Sequence, residues 1–197
     1  MNHCESFGVG DVHVVFQYSG EVRELIVRAK VKNDTVALGF LLRELSRHVC
    51  ETVQKFDHGD TLIIPAPSSF WGRAHGRFDV AQMACLSLFS QAQVYLGLMP
   101  GSFFRMKRAG RNTNHDQNPY IRKLRSIVDF MSFIKSYDLN LKISRAKRIL
   151  VVDDVMTTGF TMRTIFNQLI ELGAQSVDGL VIASSSYSSC NDSNNNL

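Results

Sequence analysis

The run RILVVDDVMTTGFTMRTI, Arg148 to Ile165, leaves a folded chain few choices. Four apolar residues, Ile149 to Val152, lead straight into two adjacent aspartates, and Thr-Thr-Gly-Phe-Thr follows before helical spacing takes over. A short apolar, β-branched run bounded in this way reads as a buried strand. Unpaired charge beside such a strand is expensive, so the two carboxylates need a reason to be there. In open parallel sheets ligands gather at the carboxyl ends of strands, and Asp153-Asp154 is expected at such an end.

The rest of the chain repeats the alternation of strand and helix. Val12 to Tyr18 has the pattern of a strand, and SGEVRELIVRAKVKND follows with Val22, Leu25, Ile26 and Ala29 at helical spacing. Thr35 to Phe56 continues as an amphipathic helix, and TLIIPAPSS is a short strand broken by Pro65 and Pro67, which cannot both sit inside a central strand. Phe78 to Gln91 reads as a helix and QVYLGLM as a strand, while Phe103 to Pro119 lacks apolar periodicity and reads as a long loop. SIVDFMSFI is ambiguous between strand and helix. MRTIFNQLIELG is a helix stopped by Gly173, with a start near Thr161 or Met162, and SVDGLVIAS is a last strand. Strands alternating with helices make an α/β domain on a largely parallel sheet. The chain divides into one domain, residues 1–185, and a polar tail, 186–197, expected to be disordered.

Composition narrows the classes. A chain of 197 residues is long enough to bury roughly 70% of its unfolded surface without a staple. No apolar run approaches the ~18 residues a membrane span requires, and the N-terminus has neither a basic nor an apolar signal region. The expectation is a cytoplasmic protein with no membrane partner. Cys4, Cys50, Cys85 and Cys190 are scattered without C-x2-C spacing, and the six histidines show no i,i+4 pair, so free thiols and no dedicated metal site are expected. Charge is uneven: Arg105 to Arg148 holds twelve Lys/Arg against three acids, a stretch to which an anion would be drawn.

The chemistry concentrates after Val152. Backbone N–H groups at a helix N-terminus, with hydroxyl donors beside them, make a site for a phosphate. Carboxylates beside that cradle accept from hydroxyl groups, and a ribose 5-phosphate has those two halves. There is no G-x-x-x-x-G-K-[ST] and no G-x-G-x-x-G after a strand. The plainer alternative is an Asp-Asp turn whose threonines only cap a helix.

ILVVDDVMTTGFT, Ile149 to Thr161, resembles the phosphoribosyl pyrophosphate motif of type I phosphoribosyltransferases at each of its thirteen positions. The resemblance implies that Asp153 and Asp154 hold the ribose 2- and 3-hydroxyls. Thr157, Thr158, Gly159 and Thr161 would hold the 5-phosphate, with the neighbouring backbone of Val155, Met156 and Phe160 completing the cradle. It also implies a type I phosphoribosyltransferase-like fold with a small hood, formed here from the N-terminal segment and the 103–125 loop. YSGEVRELIVRAKVKND further resembles the ComF branch, associated with competence and DNA uptake, placing Tyr18, Gly20, Lys30 and Asp34 on matching positions with Asn33 where glycine is usual. IIPAPSS resembles that branch's Pro-x-Pro strand end, putting Pro65, Ala66, Pro67 and Ser68 on the pyrophosphate side.

The chain departs from the branch in several places. Gly76-Arg77-Phe78-Asp79-Val80 stands where Arg-Gly-Phe-Asn-Gln is usual, Thr113 and Gln117 are one residue further apart than in its Arg-rich loop, and the sequence contains no cysteine zinc ribbon.

The resemblance implies transfer of a phosphoribosyl group to a nucleophile, with Mg²⁺ held mainly through the substrate's oxygens. Lys30, Arg105, Lys107, Arg108 and Arg111 are the candidate cations for the leaving diphosphate, the last four on a loop able to close as a lid. The partner would be phosphoribosyl pyrophosphate or a nucleoside monophosphate, in a homodimer as is common among such proteins. A second reading keeps the fold without the chemistry, as a ligand sensor or a binder of single-stranded DNA through the basic stretch. A serine hydrolase built on Ser68 or Ser69 lacks the G-x-S-x-G elbow.

Overall fold

The structure, a computed structural model, describes residues 3–6, 8–53, 61–66, 78–92, 95–96, 143 and 146–185. Their elements in chain order are β1 (His3–Ser6), β2 (Asp11–Gln17), α1 (Gly20–Lys32), α2 (Thr35–Val53), β3 (Thr61–Pro65), α3 (Val80–Ala92), β4 (Tyr95–Leu96), β5 (Arg148–Met156), α4 (Phe160–Glu171) and β6 (Val177–Ser184). The 103–125 segment assigned to the hood, the ambiguous SIVDFMSFI and the 186–197 tail lie outside the described residues.

One sheet runs β1-β2-β6-β5-β3-β4, with β1 antiparallel to β2 and every other pairing parallel. This is the α/β architecture that the alternating pattern predicts. From β3 the chain passes to β4 on one side, whereas from β5 it passes to β6 on the other. Adjacent strands whose connections leave in opposite directions open a crevice at their carboxyl ends, the place where such sheets bind ligands.

Side chains alternate across the sheet and feed two cores. Val12, Val14, Leu62, Ile64, Ile149, Val151, Val177 and Val181 pack with Met162, Ile165, Phe166 and Leu169 of α4. On the opposite face Val15, Ile63, Leu150, Val152, Leu180 and Ile182 pack with residues of α1, α2 and α3, among them Ile26, Ala29, Leu41, Leu45 and Ala84. The central strands are covered on both faces, which is why β3 and β6 are buried at every residue and read as continuous apolar runs. Gly10, just before β2, passes so close to the partner strand that a Cβ there would lie 1.7 Å from the Val177 carbonyl oxygen.

The aspartate run differs from its expectation in extent. β5 does not stop at Val152 but continues through both aspartates to Met156, because β6 goes on pairing with it through Asp153↔Val181, Val155↔Ala183 and Met156↔Ser184. On the other side β3 ends at Pro65, opposite Val152. The carboxylates therefore stand on a stretch of strand that has outrun one neighbour but not the other. The following helix starts at Phe160, one or two residues before the expected start at Thr161 or Met162. None of the described helices is long and apolar enough to cross a membrane.

Candidate functional site

Asp154 lies on the same parity of β5 as Leu150 and Val152, so the pleat sends it toward the face carrying α1 to α3. There Lys30, near the end of α1, donates a charge-assisted hydrogen bond from Nζ to Asp154 Oδ2. α1 begins at the carboxyl end of β2, where the Tyr18 N–H donates to the Ser184 carbonyl at 2.8 Å. Ten residues at about 1.5 Å each carry Lys30 about 15 Å from Gly20. Two strand spacings of about 4.8 Å separate β2 from β5. The helix thus crosses the ends of the strands and delivers its lysine to the aspartates.

The segment Lys30 to Asp34 resolves into three distinct roles. Asn33 has φ 52, the left-handed region, at the C-terminus of α1. Asparagine is among the few residues other than glycine that adopt that conformation readily. Its side chain adds something glycine lacks: Oδ1 accepts from the Phe78 N–H at 3.1 Å. Asp34 caps α2, its Oδ1 accepting from the Val36 and Ala37 N–H groups at 3.0 Å each. Arg28 donates to Asp34 Oδ2 from Nε and Nη2 at 2.8 and 2.6 Å. The cap bond from Ala37 and the Arg28 guanidinium hold the Asp34 carboxyl below the usual range.

Next to Phe78, Asp79 caps α3 through the Gln82 N–H at 3.1 Å. Asparagine would cap equally well, so what the aspartate adds is charge directed at Lys30. Burial pulls the Lys30 ammonium down, but Asp154 first, then Asp153 and Asp79, outweigh it and hold the group above the ordinary lysine range.

The paired carboxylates differ in their bonding. Asp153 Oδ1 accepts from the Asp154 N–H at 2.8 Å, and Asp154 Oδ1 accepts from the Val155 N–H at 2.9 Å. Burial, reinforced by the Asp154 charge and the hydrogen bond the two carboxyls share, pushes the Asp153 carboxyl up to about 8. Lys30, paired with Asp154, is the cation set against the two carboxyls.

Beyond Met156 the chain turns on Thr157, Thr158 and Gly159. The turn is laced to the end of β6 by the Ser185 N–H on the Met156 carbonyl at 3.0 Å and the Ser185 hydroxyl on the Thr157 carbonyl at 3.3 Å. Gly159 sits at φ 68, a conformation open to glycine at little cost. The first helical bond of α4 runs from the Arg163 N–H to the Gly159 carbonyl at 2.9 Å. The Phe160 N–H leans on Thr158 Oγ1 at 3.4 Å, while the amides of Thr161 and Met162 lie ahead of the ladder, where a helix leaves its donors open. Thr157 and Thr158 are exposed. Thr161 is 6% exposed, and among the described residues its hydroxyl meets no hydrogen-bond partner. A threonine that only capped the helix would be bonded to it.

Val155 and Met156 pack their side chains against the two cores, and their backbone is engaged with β6 and Ser185. Pro65 closes β3, and the buried Ala66 donates its N–H to the Val152 carbonyl at 2.7 Å, beside the start of the carboxylate pair. Pro67, Ser68, Arg105, Lys107, Arg108 and Arg111 lie outside the described residues. No cluster of three metal-ligating side chains occurs among the described residues. Cys85 is a free thiol, and burial pushes it well up.

Sequence reasoning named Lys30 without its partner, because nothing local links residues 124 positions apart. It passed over Asp79 and Ser185 as sites altogether. For Asp79 the departure from asparagine in Gly76 to Val80 was the available hint.

The β3/β5 junction carries a carboxylate pair on one lip and a helix N-terminus beyond it, at the end of the sheet where α/β proteins of this topology place their ligands. A model of the phosphoribosyl transferase domain family matches residues 84–189, just over half of the chain. The chain belongs to that family. Among curated proteins none matches it significantly.

Proposed function

We propose that this protein binds phosphoribosyl pyrophosphate with Mg²⁺ and transfers the phosphoribosyl group to a nucleophile, in the manner of the ComF-like branch. The observation that carries the reading is the buried Thr161 hydroxyl, without a partner beside the open amides of α4 and one short turn from the Asp153-Asp154 pair. A 5-phosphate would take the first and a ribose diol the second.

In the reaction the bond from the anomeric carbon to the diphosphate oxygen breaks and a bond to the nucleophile forms, through an oxocarbenium-like sugar. The chain's residues contribute placement and charge: Asp153 and Asp154 orient the diol, the α4 N-terminus anchors the phosphate, and the Ala66 turn borders the diphosphate end. Two adjacent carboxylates, one of them paired with Lys30, fit a dication that keeps most of its contacts with the substrate. When bound, Mg²⁺ would neutralise the departing diphosphate.

Calorimetric titration of phosphoribosyl pyrophosphate, with and without Mg²⁺, tests the reading. Micromolar binding that requires Mg²⁺ and is lost in the Asp153→Asn/Asp154→Asn double variant is expected. A folded wild-type protein that binds none would sink it. DNA binding with a steep salt dependence, unchanged in that variant, would then favour the basic stretch as the functional surface.

A further inference from the structure

The carboxylate pair is neutralised from within. Lys30 reaches Asp154 from another element, its side chain 44% exposed against 10% for Asp154, so the ammonium can leave by rotating its own flexible stem while the backbone stays in place. Its backbone, in contrast, is anchored: the Asn33 bond to Phe78 and the Arg28 pair with Asp34 fix the end of α1. A diol seeking Asp154 must compete with the lysine, and so must any free dication.

We propose that Lys30 is the resident counter-ion of this pair, holding Asp154 against free divalent cations so that the metal enters only together with the substrate that displaces the lysine. The inference rests on the function proposed above for its substrate half. Its metal half stands on the ion pair alone.

The probe is Mn²⁺ alone, followed by electron paramagnetic resonance on the wild-type chain and on Lys30→Met and Lys30→Arg. Lys30→Met is expected to bind Mn²⁺ about tenfold or more tightly than wild type, the scale on which neighbouring groups tune metal affinity. Lys30→Arg, which keeps the charge, should stay at the wild-type level. Adding Asp153→Asn/Asp154→Asn to Lys30→Met should abolish the gain. Equal Mn²⁺ affinity in wild type and Lys30→Met, whether strong or absent, overturns the proposal.

A second measurement needs no variant and remains decisive if Lys30→Met does not fold. The Lys30 side-chain nitrogen resonance of the wild-type protein should be unmoved by millimolar Mg²⁺ alone, and displacement by Mg²⁺ alone would overturn the proposal. Should phosphoribosyl pyrophosphate fail to bind while the Mn²⁺ comparison comes out as expected, the substrate reading falls and the counter-ion role stands.

Discussion

Asp153 is a carboxyl that the fold holds partly against its nature. Its folded value of about 8 lies above the ordinary 3.8, so between those limits the folded chain keeps a proton that the unfolded chain has released. The stability this lends is fully present below the ordinary value and is lost as pH rises through about 8. Asp153→Asn removes the titration. In thermal melts the variant should gain on wild type as pH goes from 6 to 9, and a constant difference across that range would refute the assignment. The sequence made the pair conspicuous, but two adjacent letters cannot say which carboxyl keeps the proton, since burial and the hydrogen bond between them decide it.

Elements are joined here by single side chains placed where helices end. Asn33 terminates α1 in a left-handed conformation and ties it to the lead-in of α3. Asn33→Val should lower stability by about 1–2 kcal/mol, the scale of placing an ordinary side chain in that region. Asn33→Gly keeps the backbone and loses the side-chain hydrogen bond from the Phe78 N–H, a cost of about 1 kcal/mol. Chemical denaturation of both distinguishes them, and equal losses would mean that the turn is not what Asn33 secures. Periodicity revealed α1, α2 and α4 because each shows one face to the sheet. It could not fix where β5 ended, because that depends on β6 continuing beside it after β3 has closed at Pro65.

At the scale of the molecule, the described residues form one sheet with two cores, and neither core exists without the strands they share. Phe166 is fully buried on the α4 face and Leu41 on the other. Phe166→Ala should cost about 3–5 kcal/mol and Leu41→Ala about 2–5 kcal/mol. In the double variant, if it still folds, the losses should add within about 0.5 kcal/mol, as expected for sites with no shared partners, and in a single transition. Two separate transitions would show that the faces melt independently. The α/β class was legible because strand and helix alternate along the chain. The strand order was not: it places β5 and β6 between β2 and β3, and no local pattern records which strand lies beside which.

The crossing of α1 over the strand ends has a consequence for how such a chain can change over time. The lysine that balances Asp154 comes from outside the stretch 84–189 that matches the family. A descendant that inherited the loop but lost the helix would carry a buried, uncompensated negative charge. The two parts of the chain are therefore bound to vary in concert, and a change that unseats α1 reaches the carboxylate pair as surely as one in the loop itself.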